Sequence, residues 1–369
     1  MTPDVNNQSP VPPLAPAAES ASARASVVQI IAECRRISTP EGIERLEQVD
    51  VGDDRQWISI RGRNRANPVL LVIHGGPGTP TMPLSWAFQS PWEDFFTVVH
   101  WDQRGVGKND ATADRAALLP TMTMARIVAD GEAVIDHLRR TLGKEQVAVL
   151  GYSWGAIVGV LLAGRCPEKI SVYVGTGQAI ATAFEPMILA ETLAAAERAG
   201  DTAAVRELRE LDLSLLPDGS PPIAAIQVLR RIARRYDGMW FGRESLQLMT
   251  DLATLAPEYS DRDVDGYCAG AGWIVPGPLL RDMAQVDLRK VTELSVPVVL
   301  LLGRYDLATP HAAAAAWLDQ LEAPAKTLLT FERSSHFAML EESGRFLLAL
   351  VQHVLPHTEG APAFEPRPR

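Results

Sequence analysis

Three short, mainly apolar runs end abruptly at glycine-bearing segments. Pro68–Ile73 stops at Gly75, Gly76 and Gly78, Phe95–Trp101 at Asp102–Gly107, and Gln146–Leu150 at Gly151–Gly155. A run of this length without polar alternation predicts a strand buried on both faces, as in a parallel sheet. Two earlier segments, Arg45–Val51 and Gln56–Arg61, are strand-like, and a further strand is expected over Ser171–Val174. Between the second and third buried runs, Thr123–Leu142 carries Ile127, Val134, Ile135 and Leu138 at helical spacing, which predicts an amphipathic helix. Strand, helix and strand in that order imply a right-handed parallel crossover.

From about Gly177 to Arg289 the strand pattern disappears. Helices are expected there over Pro186–Gly200, Thr202–Leu211, Ile223–Tyr236 and Glu244–Leu255. The parallel pattern resumes with a strand at Val296–Leu302, a helix at Pro310–Leu321, a strand at Lys326–Phe331 and a helix from about Glu341 to Val354. A sheet interrupted by helices and then resumed predicts an α/β core at 24–176 and 290–356, with an inserted helical cap at 177–289. Upstream, Arg24–Ile37 suits a short amphipathic helix. Met1–Ala23 is rich in Pro, Ala, Ser and Asn, with no early positive charge and no continuous apolar stretch. It reads as a disordered arm, not a signal peptide. Residues 357–369 read as a flexible tail.

Composition narrows the function classes. With 47% hydrophobic and 22% charged residues over 369 positions, the chain has the balance of a globular protein. It carries 35 Lys+Arg against 45 Asp+Glu, a net charge of −10, and no run of five or more Lys/Arg. That leaves no electrostatic footprint for a nucleic acid or an anionic membrane surface. No apolar stretch is long enough to span a bilayer, and a cytoplasmic address is expected. Cys34, Cys166 and Cys268 are odd in number and far apart, so they outline neither a disulfide framework nor a metal knuckle. No motif sets an oligomeric state.

The strongest chemical signal is Gly151-Tyr152-Ser153-Trp154-Gly155, directly after an apolar strand and directly before the apolar helix Ala156–Ala163. G-x-S-x-G in that setting is a nucleophile elbow, whose glycines let the turn lift a serine hydroxyl off the sheet. A serine hydroxyl needs a base, and the base needs a carboxylate to orient it. In the order Ser, Asp, His, the chain supplies Asp306 just after the strand ending at Leu302 and His336 just after the strand ending at Phe331. Both lie where open α/β sheets place their sites. His311, His353 and His357 fall at a helix start, on the terminal helix and in the tail, and Asp282, Asp287 and Asp319 fall on helical or cap segments. An oxyanion needs two backbone N–H donors. Trp154 supplies one as the residue after the nucleophile, and the His74-Gly75-Gly76-Pro77-Gly78 loop supplies the other.

Together with Trp101-Asp102-Gln103-Arg104-Gly105-Val106-Gly107, Gly303-Arg304-Tyr305-Asp306 and Ser335-His336-Phe337, these motifs resemble the proline iminopeptidase family of α/β-hydrolases. The resemblance spans about Glu41 to Leu355. It implies an α/β-hydrolase fold, a catalytic triad of Ser153, Asp306 and His336, and an oxyanion hole from the amides of Gly76 and Trp154. It also implies that Asp102 and Arg104 belong to a structured loop beside the pocket.

In that family, cap glutamates within a Trp-x-x-Trp-Glu stretch bind the substrate amine. Here the nearest region is Tyr236–Glu244, and Glu185, Glu244 and Glu258 are the acidic candidates. Trp86, Trp240, Phe241 and Glu244 are expected to bind substrate. The expected activity is hydrolysis of an amide or peptide bond to a small apolar N-terminal residue, with a small molecule or short peptide as partner. An esterase or lactonase with the same triad is the alternative, and a non-catalytic ligand-binding relative the more distant one. No metal or organic cofactor is implied. A dehalogenase or epoxide hydrolase would carry Asp where this chain has Ser153.

Overall fold

The computed structural model describes residues 17–181, 185–270, 272–274 and 276–358. The expectations for most of the N-terminal arm, for the Glu185 side chain and for the tail beyond Thr358 lie outside the described residues.

After helix α1 (Ala17–Cys34), the chain forms strands β1 (Ile43–Val51), β2 (Asp54–Gly62), β3 (Val69–Ile73) and β4 (Thr97–Trp101). The short helix α2 (Arg115–Leu118) and the long α3 (Met124–Leu142) follow, then β5 (Val147–Tyr152), α4 (Trp154–Arg165) and β6 (Ile170–Thr176). All eight strands form one sheet in the order β1-β2-β4-β3-β5-β6 and then β7 (Val298–Gly303) and β8 (Lys326–Phe331). β2 runs antiparallel to β1 and β4, and the other neighbours are parallel. The apolar runs are central strands, and every residue of β3, β4 and β5 is buried. Alternation sorts them onto two faces. Val69, Leu71 and Ile73 pack with α3 and α4, whereas Leu70 and Val72 pack with Trp92, Phe331 and Phe346.

Helix α3 starts where Thr123 accepts a hydrogen bond from the Arg126 N–H (3.1 Å) and stops at Gly143, whose φ of 63° is left-handed. Such a cap satisfies one of the donors that a helix start leaves open. Helix α1 begins at Ala17, inside the segment expected as an arm, and ends at Cys34 instead of Ile37. It ends there because Arg35 turns inward: its guanidinium pairs with buried Glu258 at 2.7 Å, and its carbonyl accepts from Arg61. The expected C-terminal helix is interrupted at Glu342, whose φ and ψ of −127° and 52° are not helical.

Between β6 and β7 the described residues form α5 (Glu185–Ala199), α6 (Thr202–Arg209), α7 (Ile223–Ala233), α8 (Gln247–Thr254), α9 (Asp261–Ala269) and α10 (Pro278–Gln285). The last two had no counterpart among the expected helices. Helices α5 to α7 share a small core of Ile188, Ala196, Ala204, Leu208, Leu229 and Ile232. α8 and α9 lean on the sheet's loops, where Met82, Ala256, Tyr259 and Val264 cluster. The Trp86 indole N–H donates to the Leu252 carbonyl (2.9 Å).

Buried polar groups tie the same two regions. Lys108 Nζ donates to Asp263 Oδ2 (2.7 Å) and to the Glu258 carbonyl (2.9 Å). Asp102 Oδ2 accepts from the Tyr259 hydroxyl (2.6 Å) and the Lys108 N–H (2.8 Å). Burial pushes the Asp102 carboxyl up to about 7, against the opposing pull of Tyr259 and Lys108. The folded protein therefore holds a proton on Asp102 that the unfolded chain releases near 3.8. This contribution to stability is full below that value and is lost as pH rises through about 7. Asp102→Asn keeps an acceptor for both donors and has no proton to lose. Its stability relative to wild type should rise between about pH 4 and about pH 7 and level off above, by at most about 1.4 kcal/mol per unit, as read from urea unfolding of both proteins at each pH.

Candidate active site

The site starts from a strained turn. Ser153 joins β5 to α4 with φ 56° and ψ −118°, a left-handed conformation that costs roughly 1–3 kcal/mol in a residue with a side chain. The turn closes because α4 lies against the end of β3: a Cβ on Gly155 would sit 2.1 Å from the Ile73 carbonyl oxygen. The Ser153 N–H is held by the Thr176 carbonyl of β6 at 3.0 Å.

The loops after β7 and β8 meet this turn. His336 Nε2 lies 2.9 Å from Ser153 Oγ, and His336 Nδ1 lies 2.8 Å from Asp306 Oδ2. With Asp306 as acceptor, the Nδ1 position carries the proton and Nε2 is left to accept from the serine. Asp306 is buried and fully engaged. Oδ1 accepts from the Ala308 and Thr309 N–H groups (2.8 Å each), and Oδ2 also accepts from the Thr309 hydroxyl at 2.8 Å. The His336 loop is clamped by Glu341, whose carboxylate accepts from the N–H groups of Ser335 and Phe337 (3.0 Å each) and of Phe241 (2.6 Å). Burial raises the Glu341 carboxyl, and these N–H donors oppose the rise.

A third loop, after β3, brings Gly76 beside the serine. Gly76 has φ 116°, and a Cβ there would lie 2.4 Å from the Gly78 nitrogen. His74 fixes the loop. Its Nδ1–H donates to the Gly75 carbonyl (2.8 Å), and its Nε2 accepts the Gln103 N–H (3.2 Å). The Gln103 side chain in turn accepts from the Trp154 indole N–H at 3.1 Å. Burial pushes His74 down to about 4, so the ring is neutral at pH 7 and keeps the lone pair that Gln103 needs. Arg104, next in the same loop, is held by Asp130 through two bonds of 2.9 and 3.1 Å.

Ser153, Gly76 and Trp154 line one cavity of about 60 Å³, whose other walls include Ile157, Ile180, Ile188, Met283, Thr309, Pro310 and Arg230. That is room for about two waters. As the first residue of α4, Trp154 has no carbonyl a turn earlier for its N–H. The arrangement offers a hydroxyl, an imidazole to take its proton, and backbone donors beside an apolar space. Among the described residues no group of three or more His, Cys, Asp or Glu is placed to hold a metal ion.

Residues 69–349 match the model of the alpha/beta hydrolase family. The chain belongs to that family. It is 27% identical over 340 residues to a probable aminopeptidase of Bacillus subtilis, covering 87% of this chain and 99% of that one. It is 24% identical over 309 residues to a proline iminopeptidase of Neisseria gonorrhoeae, covering 78% and 88%. Among solved structures, the proline iminopeptidase-related protein of Thermus thermophilus superposes with a TM-score of 0.59 at 20% identity, over 87% of this chain and all of the other. The last likeness bears on fold alone.

In this hydrolase the residues expected to bind substrate stand apart from the cavity. Trp240 is buried against Phe337, with ring centroids 5.1 Å apart, and Phe241 packs on Tyr305 at 4.9 Å. With the Met239 carbonyl, which accepts the His336 N–H at 3.1 Å, they brace the histidine loop. Trp86 is engaged with Leu252. The Glu244 side chain is 70% exposed, 3.7 Å from Arg235, and Glu258 is paired with Arg35. Sequence reading missed Glu191 on α5, a half-buried carboxyl raised by burial and by the charge of Asp306. It also missed Thr309, whose signal was its place three residues after Asp306. Among the described residues no helix is long and apolar enough to cross a membrane.

Thr309 holds both carboxylate oxygens of Asp306, one through its N–H and one through its hydroxyl. Thr309→Val removes one of these and keeps the shape. It should lower kcat/KM by roughly tenfold, in line with the loss of one charge-assisted hydrogen bond, while Thr309→Ser stays within about threefold of wild type. Steady-state rates on any turned-over ester or amide measure both.

Proposed function

We propose that the hydrolase cleaves an acyl compound through a covalent acyl-enzyme, with Ser153 as nucleophile, His336 as general base and acid, and Asp306 as the group that orients the imidazole. The observation that carries this reading is the unbroken run from Ser153 Oγ through His336 to Asp306, at 2.9 and 2.8 Å. His336 Nε2 takes the serine proton as Oγ bonds to the carbonyl carbon. The carbonyl oxygen becomes an oxyanion that accepts from the amides of Gly76 and Trp154. Collapse breaks the bond to the leaving group, which receives the proton from His336 Nε2. Water then repeats the sequence, giving its proton to His336, releasing the acid and restoring the serine.

The helical interval 177–289 acts as the cap, and its described residues at the cavity run from Gln178 to Ala181 and include Ile188, Arg230 and Met283. The substrate reading is an amide or peptide bond to a small apolar N-terminal residue, the activity class named for the relatives. The small apolar cavity supports an acyl part of a few carbons, and Glu191 is the cap carboxylate within electrostatic reach of Asp306. A second reading, ester hydrolysis, is favoured by one observation: among the described residues no carboxylate lines the cavity to meet an ammonium group.

Ser153→Ala should lower turnover by several orders of magnitude with the fold intact, as read from circular dichroism beside the rates. A prolyl arylamide, its amine-acylated form and a short-chain aryl ester separate the two substrate readings. Cleavage of the free-amine arylamide alone supports the aminopeptidase. Ester cleavage without arylamide cleavage supports the second reading, and near-native rates in Ser153→Ala would overturn the mechanism.

A further inference from the structure

Four consecutive residues of the helical interval touch both of the loops that carry Asp306 and His336. The Gly238 carbonyl accepts the Leu307 N–H at 2.9 Å, and the Met239 carbonyl accepts the His336 N–H at 3.1 Å. The Trp240 ring lies against Phe337 and the Phe241 ring against Tyr305. The Phe241 N–H donates to Glu341 Oε1 (2.6 Å), and Glu341 Oε2 accepts from Ser335 and Phe337 (3.0 Å each). The residues on either side of Asp306, and His336 with both of its neighbours, are therefore held by residues 238–241 or through Glu341.

The backbone of this segment has little freedom. Asp237, which opens it, has φ 61°, and among the described residues only Ser153 shares a positive φ without being glycine. Conformations of this kind persist where the surroundings over-determine them. Here the Asp237 side chain accepts the Gly242 N–H at 2.8 Å and closes the four residues into a loop. Gly238 leaves no slack, because a Cβ there would lie 2.7 Å from the Ala233 carbonyl oxygen and 2.8 Å from the Leu307 Cβ. Ala233 ends α7, whose Leu229 and Ile232 share a core with Ile188, a residue of the cavity wall.

We infer that residues 238–241, with Glu341, are positioning residues of the reaction: from outside the sheet, they set the separation of Asp306 from His336. The inference rests on the acyl-enzyme reading above and adds to it what keeps the imidazole and its carboxylate in register. The sheet fixes only where β7 and β8 end, at Gly303 and Phe331. The two loops bond each other just beyond those ends, where the Arg304 and Tyr305 N–H groups donate to the Phe331 and Ser334 carbonyls (3.0 and 3.1 Å). Farther along, the segment 238–241 holds them. A displacement of about 1 Å at a reacting group costs about a hundredfold in rate, so the bonds at Leu307 and His336 bear directly on turnover.

Two substitutions disturb the segment at its opposite ends. Gly238→Ala forces it off Leu307. Glu341→Gln keeps one oxygen, which serves Ser335 and Phe337, and turns an NH2 group toward the Phe241 N–H. Tyr236→Phe is the control, because it removes a hydroxyl bond to Asp201 (3.0 Å) in the same helical interval and leaves every bond of residues 238–241 in place. Each is compared with wild type, and with Ser153→Ala as the blank, in three measurements. These are steady-state hydrolysis of nitrophenyl acetate, the rate of Ser153 labelling by a fluorophosphonate, and the far-downfield proton resonance of a histidine Nδ1–H bonded to a carboxylate.

In Gly238→Ala and Glu341→Gln, kcat and the labelling rate should fall by about tenfold or more while KM stays within about threefold, and the resonance should shift or broaden. Tyr236→Phe should match wild type in all three. A resonance unchanged in both variants, a loss confined to KM, or an equal loss in Tyr236→Phe overturns the inference. Glu341→Gln decides alone if Gly238→Ala does not fold, and labelling and the resonance decide if wild type leaves the ester intact. Hydrolysis that survives in Ser153→Ala overturns the acyl-enzyme reading instead, and the resonance, which needs no substrate, still tests the positioning.

Discussion

The site depends on how closely α4 can approach the end of β3. A helix that follows a strand by a single residue must reverse the chain within one turn, and Ser153 absorbs the reversal at φ 56°. The reversal is possible only where the helix backbone touches the neighbouring strand without a side chain between them, which is the position of Gly155 against the Ile73 carbonyl. Burial of α4 stabilises the turn against its strain. Nine of the helix's residues are buried, among them Ile157, Val158, Val160 and Leu162, and each fully buried aliphatic side chain contributes about 1.5–3 kcal/mol. Two such side chains offset the roughly 1–3 kcal/mol that the serine conformation costs. The turn is therefore a rigid feature of the sheet.

Around that turn, the loops are fixed by polar groups held in one protonation state by burial. His74 is neutral because its surroundings exclude water, and neutrality leaves it able to accept from Gln103 and donate to Gly75 at once. Gln103 passes the constraint to the Trp154 indole, so the loop after β3 and the start of α4 belong to one hydrogen-bonded unit. The histidine loop is built on a different principle: Glu341 gathers three N–H groups, two from the loop and one from Phe241 of the helical interval. The helical interval and the histidine loop thus share a carboxylate, and a movement of the Met239–Phe241 segment would be felt at His336.

The sheet and the serine, aspartate and histidine positions were legible because their signals are local. Apolar runs closed by glycine mark strand ends, and the functional side chains of a parallel sheet sit at those ends. β8 matches its expected bounds, and Ser153, Asp306 and His336 come within hydrogen-bonding distance from loops 30 to 183 residues apart in sequence. The helical interval was less legible. Helix α9 is announced by a reciprocal cap, with Ser260 and Asp263 bonding each other's backbone, but Asp in place of the usual Glu or Gln weakens that signal. Trp240 and Phe241 were read as pocket walls from their apolar character, which does not distinguish a wall from a brace. What decides between them is the partner across the gap, Phe337 and Tyr305, and no local pattern encodes it.

That asymmetry has a physical basis. Acyl transfer through serine constrains the backbone at the nucleophile, the oxyanion donors and the base, so those positions leave glycines and fixed spacings in the sequence. Substrate choice constrains only the chemistry of side chains that reach the cavity from helices packed by their own small core, as Ile188 and Leu229 are. On α7, for instance, Leu229 and Ile232 are buried in that core, whereas Gln227 and Arg230 on the same helix are exposed. A helix anchored on one side and free to vary on the other can change the side chains at a cavity while Ser153, Asp306 and His336 stay in register.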